Sequence, residues 1–245
     1  MMKTLELKNV NKTYGSLTVL EDLSLNVDKG EFVAIVGPSG CGKSTALRML
    51  AGLEQPSSGE VSANGNMIKE PDSNRVMIFQ EHALYPWRTI ENNVGLGLEL
   101  ANVSKKERRE RIHKVLGKVG LENFKTYYPH QLSGGMKQRA SIARALVMDP
   151  EVLLLDEPYG ALDAITRLTM QNELIKLWQG SNQTMVLITH DIDEALYLAD
   201  RVFVLSSRPG KVVKEVMNDM PRPRDRNSSQ FVNLRQEVMN SLDIT

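Results

Sequence analysis

One short stretch near the start of the chain limits the fold more than any other feature. Residues 37–45 fit the pattern G-x-x-x-x-G-K-[ST] in full. The apolar residues 32–36 predict a short buried strand before it, and residues 45–50 predict the first turns of a helix after it. The backbone N–H groups of such a loop and the positive end of the following helix surround phosphate groups. The sequence therefore predicts a nucleotide site in an α/β fold.

The same loop carries the side chains that a bound triphosphate needs. Lys43 can place an ammonium group between the two outer phosphates, and the hydroxyl of Ser44 can bind Mg²⁺. A chance glycine-rich turn explains the stretch less well, because the spacing and the strand–loop–helix order are both met. We expect the nucleotide to be bound by Gly37, Pro38, Ser39, Gly40, Cys41, Gly42, Lys43, Ser44 and Thr45.

The composition limits which classes of protein this chain can belong to. The 245 residues are enough for one large α/β domain or two small lobes. Lys and Arg together number 30, as do Asp and Glu, and this zero net charge argues against a basic nucleic-acid binder. The single cysteine excludes an internal disulfide framework and fits a reducing compartment. We find no signal peptide and no apolar run of 18 residues, so a membrane role would have to come through a partner.

Periodicity predicts the architecture in outline. Several short alternating segments in the first third predict strands, with a turn at residues 12–15. In the second half, strand-like and helical segments alternate, and this order implies a parallel sheet with right-handed crossovers. We expect a single domain over residues 1–245. Within it, a helical subdomain should span about residues 84–148, and a linker and closing helix about residues 220–245.

Polar side chains stand at the ends of three predicted strands. Asp156 and Glu157 follow one strand, His190 ends the next, and Gln80 ends a third. Of two adjacent acids, one can hold the water shell of a metal while the other accepts a proton from an attacking water. General-base assistance of this kind gives roughly 10²–10⁴-fold in rate. Taken alone, such a histidine or glutamine is more often structural, but beside a phosphate loop we favour a catalytic group.

A second helix start has the features of an anion site. Ser133 can cap the helix that follows it, and Gly134 and Gly135 leave the first N–H groups of that helix exposed. A cap of this composition is also common as a purely structural feature.

Taken together, these motifs resemble the ATP-binding subunits of ABC transporters along essentially the whole chain. Met136 departs from the family pattern, which most often has Gln there. Three further segments look like the nitrate/sulfonate/taurine-type importers: residues 80–94, 157–167 and 207–210. The motifs that match the family are, in chain order, Tyr14, the phosphate loop, Gln80, residues 132–139, residues 152–158, residues 161–163 and His190.

The resemblance implies a P-loop NTPase fold with a mostly parallel core sheet, an antiparallel β subdomain and a helical subdomain. It also implies that ATP and Mg²⁺ are bound by a head-to-tail homodimer. Each ATP would lie between residues 37–45 of one copy and Ser133, Gly134 and Gly135 of the other, with Tyr14 stacked on adenine.

The resemblance further assigns the chemical roles. Glu157 would be the general base, and His190 would hold the γ-phosphate. Lys43 would also bind the phosphates. Asp156 and Gln80 would contact Mg²⁺ and water, together with Ser44. Asp163 would lie at the dimer seam.

The expected partners follow from the same family. They are transmembrane permease subunits and, indirectly, a solute-binding protein, which would put the chain at the cytoplasmic face of the inner membrane as a peripheral subunit. Residues 84–87 are four consecutive non-polar residues and predict a docking surface for the permease; local packing of the helical subdomain is the alternative. Nitrate, sulfonates, taurine and pyrimidine precursors all stay open as the solute.

Two other classes of protein were weighed. A non-transport ABC ATPase for DNA repair would need a long coiled coil between the phosphate loop and residue 132, and no long heptad run is present there. One for translation would carry two cassettes. A non-hydrolysing regulatory module is disfavoured because Lys43, Glu157 and His190 are all present.

Overall fold

The computed structural model describes residues 3–80 and 83–242, which form ten strands and eight α-helices. The strands are β1 (Lys3–Tyr14), β2 (Leu17–Asp28), β3 (Phe32–Val36), β4 (Ser58–Ala63), β5 (Asn66–Met67), β6 (Arg75–Ile78), β7 (Val152–Asp156), β8 (Thr184–Thr189), β9 (Arg201–Leu205) and β10 (Val212–Met217). The helices are α1 (Lys43–Ala51), α2 (Ile90–Val94), α3 (Leu96–Leu100), α4 (Lys105–Lys118), α5 (Gly134–Leu146), α6 (Ala164–Trp178), α7 (Ile192–Leu198) and α8 (Ser229–Ser241).

The core of the fold is a six-stranded sheet in the order β10-β9-β3-β8-β7-β6. Only β10 runs antiparallel to its neighbour; the other strand pairs are parallel. All residues of β3, β7, β8 and β9 are buried, as expected for strands with both faces covered. Alternate residues point to opposite faces, so that Ala34 packs with α6, α7 and α8 while Ile35 packs with α1.

A second, antiparallel sheet lies against α1 and has the order β2-β1-β4-β5. The predicted turn at residues 12–15 is wrong in its first three residues, because β1 continues through Tyr14, which pairs with Leu17. Only Gly15 and Ser16 connect β1 to β2. The tight connection places Tyr14 at the end of a hairpin instead of in a loop.

Helices α2 to α5 enclose a separate hydrophobic cluster that includes Ile90, Leu116 and Ala140. Ser104 caps α4, since its Oγ accepts from the N–H of Glu107 at 3.3 Å. Two sheets and this helical cluster confirm the predicted fold class. The proposed domain and subdomain boundaries remain predictions. No helix within residues 3–80 and 83–242 has the length and apolar character needed to cross a membrane.

The segment after β10 is held to the body by one buried arginine. Arg224 is only 4 % exposed, and its guanidinium donates to the carbonyls of Leu196, Tyr197 and Ala199. These are carbonyl groups at the end of α7, where no further helical turn supplies donors. The segment predicted as a linker is therefore fixed to the core.

Candidate functional site

The phosphate loop joins the end of β3 to the start of α1, and two of its glycines have no room for a side chain. A Cβ atom at Gly37 would lie 2.9 Å from the carbonyl oxygen of Leu205. At Gly42, where φ is +104°, it would lie 2.5 Å from Leu20 Cδ2. The loop therefore needs glycine both for its left-handed backbone and for its close contact with β2 and β9. Burial raises the pKa of the Cys41 thiol, which keeps this side chain a neutral spacer.

Lys43 is held within the loop. Its Nζ donates to the carbonyl oxygens of Gly37, at 2.8 Å, and Pro38, at 3.1 Å. Lys43 is only 5 % exposed, so its ammonium group is fixed at the loop. Both of its hydrogen-bond partners are backbone carbonyls and neither is a carboxylate. A phosphate entering the loop would meet this charge already in position.

Ser44 and Asp156 come together from two elements. The hydroxyl of Ser44, in the first turn of α1, donates to Asp156 Oδ1 at the end of β7 over 3.1 Å. Burial is the main cause that raises the pKa of the Asp156 carboxyl, and the Ser44 hydrogen bond acts in the opposite direction. Two oxygen ligands at the edge of a phosphate loop fit Mg²⁺, which binds proteins through one or two carboxylates together with substrate phosphates.

Glu157 and His190 also meet, as predicted from their strand ends. The Oε2 atom of Glu157 and the Nδ1 atom of His190 are 3.0 Å apart. Glu157 adopts φ +42°, an uncommon backbone conformation for this residue, and its N–H donates to the carbonyl of Ile188. The strain is localised where the two side chains face each other, which is typical of functional sites.

Gln80 lies in a loop instead of at a strand end, since β6 stops at Ile78. The loop nevertheless brings it to the other groups. A Cβ atom placed on Gly160 would be 3.4 Å from Gln80 Nε2 and 3.9 Å from Glu157 Oε2. The structure therefore gathers Gln80, Glu157 and His190 around the edge of the sheet, with Gly160 leaving space between them.

Tyr14 stands beside the start of α1 with its ring 47 % exposed. The Lys12 ammonium lies 4.9 Å from the ring centroid, and the Tyr14 hydroxyl donates to Glu54. The hydroxyl also interacts with the side chain of Thr45 in the phosphate loop. These contacts hold a flat aromatic face at the loop, where it is available for stacking.

The helix start predicted as a second anion site is present at the start of α5. Ser133 Oγ accepts from the N–H of Met136 at 3.3 Å and caps the helix. A Cβ atom at Gly135 would lie 2.9 Å from Thr166 Cγ2, so the glycines pack against the start of α6. Within the described part of the chain, no hydrogen bond or ion pair joins residues 133–135 to residues 37–45.

Asn93 is a residue that the sequence reasoning missed. It is fully buried in α2, and its side chain accepts from the N–H of Tyr85 at 2.7 Å. Its amide also donates to the carbonyls of Tyr85, Arg88 and Thr89. Asn93 therefore fixes the loop that carries Tyr85 and Trp87. The sequence carries no signal for this role, because both the burial and the hydrogen bonds of Asn93 depend on tertiary structure.

Comparison with known proteins gives consistent results. The ABC transporter family model matches residues 20–160. An uncharacterised ABC transporter ATP-binding protein of Methanocaldococcus jannaschii is 46 % identical over 99 % of this chain and 92 % of its own length. An aliphatic sulfonates import ATP-binding protein of Bacillus cereus is 44 % identical over 96 % of this chain and 93 % of its own.

Two solved structures extend the similarity to three dimensions. One is a dimeric ATP-binding cassette in a post-hydrolysis state bound to ADP and Pi, with a TM-score of 0.76, 36 % identity, and coverage of 89 % of this chain and 100 % of that one. The other is cbiO1 of Clostridium perfringens, part of the ABC transporter complex cbiONQ, with a TM-score of 0.83, 28 % identity, and coverage of 99 % and 97 %. With the matching family model and these relatives, the chain belongs to the ABC transporter family as an ATP-binding subunit that hydrolyses ATP.

Proposed function

We propose that this chain is the ATPase subunit of an importer for a small anionic solute of the nitrate, sulfonate or taurine type. Relatives named as aliphatic sulfonates import proteins support this class of solute. The observation that carries the ATPase half of the proposal is the convergence of Ser44, Asp156, Glu157 and His190 at the phosphate loop. In this proposal the chain is peripheral at the cytoplasmic face of the membrane.

The working unit is a head-to-tail homodimer. The phosphate loop of one copy and the capped start of α5 in the other enclose each ATP, because a single helix end cannot screen a triphosphate from both sides. The cap of α5 by Ser133 leaves the start of that helix formed and exposed, as this arrangement needs. The dimeric cassette bound to ADP and Pi is a precedent in a similar protein.

In this dimer, the residues of the site have separate roles in ATP binding and hydrolysis. Lys43 and the loop N–H groups bind the phosphates, and Ser44, Asp156 and Gln80 are the residues that would hold Mg²⁺, which supplies charge neutralisation on the phosphates when bound. Glu157 accepts the proton of the attacking water. His190, which is hydrogen-bonded to Glu157 in the structure, contacts the γ-phosphate of the bound ATP. Loss of that phosphate on hydrolysis removes the charges that hold the two copies together.

The permease would dock on the loop that follows Gln80. Tyr85 and Trp87 are exposed, with Trp87 at 72 %, and their ring centroids are 5.4 Å apart. Leu84 instead packs on the helical cluster, so the local-packing alternative accounts for that residue only. Arg144 of α5 donates to the carbonyl of Ala83, which ties this loop to the helix that begins at Ser133.

A growth experiment tests the proposed function. A strain lacking the gene is supplied with nitrate or taurine as the sole nitrogen source, or with taurine or an alkanesulfonate as the sole sulfur source. We expect a growth defect on one of these anions, restored by the wild-type chain and not by Glu157→Gln. Growth equal to that of the parent strain on every anion would contradict the importer assignment. Loss of growth that Glu157→Gln restores would contradict the ATPase role.

A further inference from the structure

The segment between β9 and β10, residues 206–211, forms a rigid support directly beside the phosphate loop. Ser206 closes the segment on itself, because its N–H donates to the carbonyl of Lys211 and its Oγ accepts from the N–H of Lys211. The same Oγ donates to the carbonyl of Pro209 at 2.9 Å. Three hydrogen bonds over six residues leave this segment little freedom to move.

Gly210 fixes the segment both to β2 and to the phosphate loop. Its N–H donates to Val19 and its carbonyl accepts from Glu21, both in β2, at 2.9 and 3.2 Å. A Cβ atom on Gly210 would lie only 2.1 Å from the carbonyl oxygen of Cys41. The segment is therefore in direct backbone contact with the phosphate loop, and its position relative to that loop is set by the sheet.

Arg208 extends from this support over the loop. A Cβ atom placed on Gly40 would be 3.1 Å from the Arg208 Nη2 atom, so the guanidinium lies alongside the loop backbone. Arg208 is exposed and, across residues 3–80 and 83–242, forms no ion pair or hydrogen bond. Its neighbour Lys211, in contrast, is paired with Glu21 at 3.0 Å. The five N–H donors of the Arg208 guanidinium thus have no acceptor from the described residues beside the phosphate loop.

We infer that Arg208 is a phosphate-binding residue of the nucleotide site, donating to an oxygen of the bound ATP in addition to Lys43. A guanidinium is suited to this role because its planar donors match phosphate oxygens and its charge persists at all physiological pH values. The rigid support limits the entropy lost when the contact forms. This inference rests on the proposed ATP site at residues 37–45.

The test measures ATP binding by isothermal titration to the isolated chain, at protein concentrations where it is monomeric. Removal of one charge-assisted hydrogen bond should weaken ATP binding about tenfold in Arg208→Gln. Arg208→Lys should weaken it less, because the charge is kept. Lys211→Gln is the matched control, since it removes one positive charge from the same segment, and it should bind ATP as the wild type does. Thermal unfolding without nucleotide verifies that each variant is folded.

Two results would overturn the inference. They are unchanged ATP affinity in Arg208→Gln, and an equal loss of affinity in Arg208→Gln and Lys211→Gln. Unchanged affinity accompanied by lost ATP-dependent dimerisation would in addition place the guanidinium in contact with the second copy instead of with ATP. If the wild-type chain itself does not bind ATP, the proposed function fails and this inference fails with it.

Discussion

Glu157 Oε2 lies 3.0 Å from His190 Nδ1. The two residues follow neighbouring strands, β7 and β8, and the N–H of Glu157 donates to the carbonyl of Ile188 in β8. The proposed base and the proposed γ-phosphate ligand are thus in direct contact with each other. In the proposed mechanism, a γ-phosphate bound by His190 would therefore lie beside the base.

Glu157→Gln should abolish turnover while leaving ATP binding intact. The amide keeps the size and a hydrogen-bond acceptor but cannot accept the water proton, so we expect phosphate release to fall by roughly 10²–10⁴-fold. Chromatography with ATP should show a stable dimer. The control is Glu173→Gln, which removes an acid of α6 paired with Arg139 and should hydrolyse ATP normally. Normal hydrolysis by Glu157→Gln would exclude Glu157 as the base.

Mixing two inactive variants should restore hydrolysis if the dimer is head to tail. In an equimolar mixture of Lys43→Ala and Ser133→Asp, half of the dimers carry one intact site, so about a quarter of all sites should be active. Ser133→Asp keeps a capping side chain and adds a charge that repels phosphate. Ser104→Asp makes the same change at the cap of α4 and should leave hydrolysis unchanged. A mixture as inactive as its components would argue against shared sites.

Asp156→Asn should stabilise the nucleotide-free chain and remove its response to Mg²⁺. Burial raises the pKa of this carboxyl in the folded state, so its contribution to stability is present below the unfolded pKa and is lost as pH rises through the folded pKa. The difference in melting temperature between variant and wild type should therefore grow from pH 4 to pH 7. Mg²⁺ added with ATP should raise the melting temperature of the wild type only. A difference independent of pH would contradict this account.

Trp87→Ala and Tyr85→Ala should weaken co-purification with the permease and spare ATP binding, because both rings are exposed and neither contacts the phosphate loop. Asn93→Ala should have the same effect by releasing the loop that carries them. Leu100→Ala, another exposed apolar residue of the helical cluster region, is the control. Unchanged recovery of the permease with all three variants would exclude this docking surface.

Arg224→Met should destabilise the chain by at least about 2 kcal/mol in urea unfolding, because it leaves buried carbonyls at the end of α7 without donors. Burial lowers the pKa of Arg224 to about 10, which still leaves it charged at neutral pH. Lys214→Met, at an exposed pair with Glu237, should change the stability by less than about 1 kcal/mol. Equal stability of Arg224→Met and wild type would show that this anchor is not needed.

Much of the fold could be predicted because the buried strands are continuous apolar runs bounded by polar residues. The alternation of strand-like and helical segments predicted for the second half agrees with the order of β8, α7 and β9. The end of β1 was not predictable, since residues 12–14 are polar or aromatic and become a strand only through pairing with β2.

The site was predictable at the level of motifs but not of contacts. Glu157 and His190 converge as predicted, since parallel strands end at one edge of the sheet, and Gln80 reaches them from a loop. The bonds of Asn93 and the position of Arg208 beside Gly40 depend on residues far apart in sequence. No periodicity or local pattern records such contacts.

The packing of Gly135 against Thr166 has a mechanical consequence for the dimer. Because there is no space for even one methyl group between them, the start of α5 packs directly on the first turn of α6. Ser133 caps the first of these helices and Asp163 caps the second. In the proposed dimer, a displacement of Ser133 at one ATP would therefore press on the helix whose cap lies at the seam.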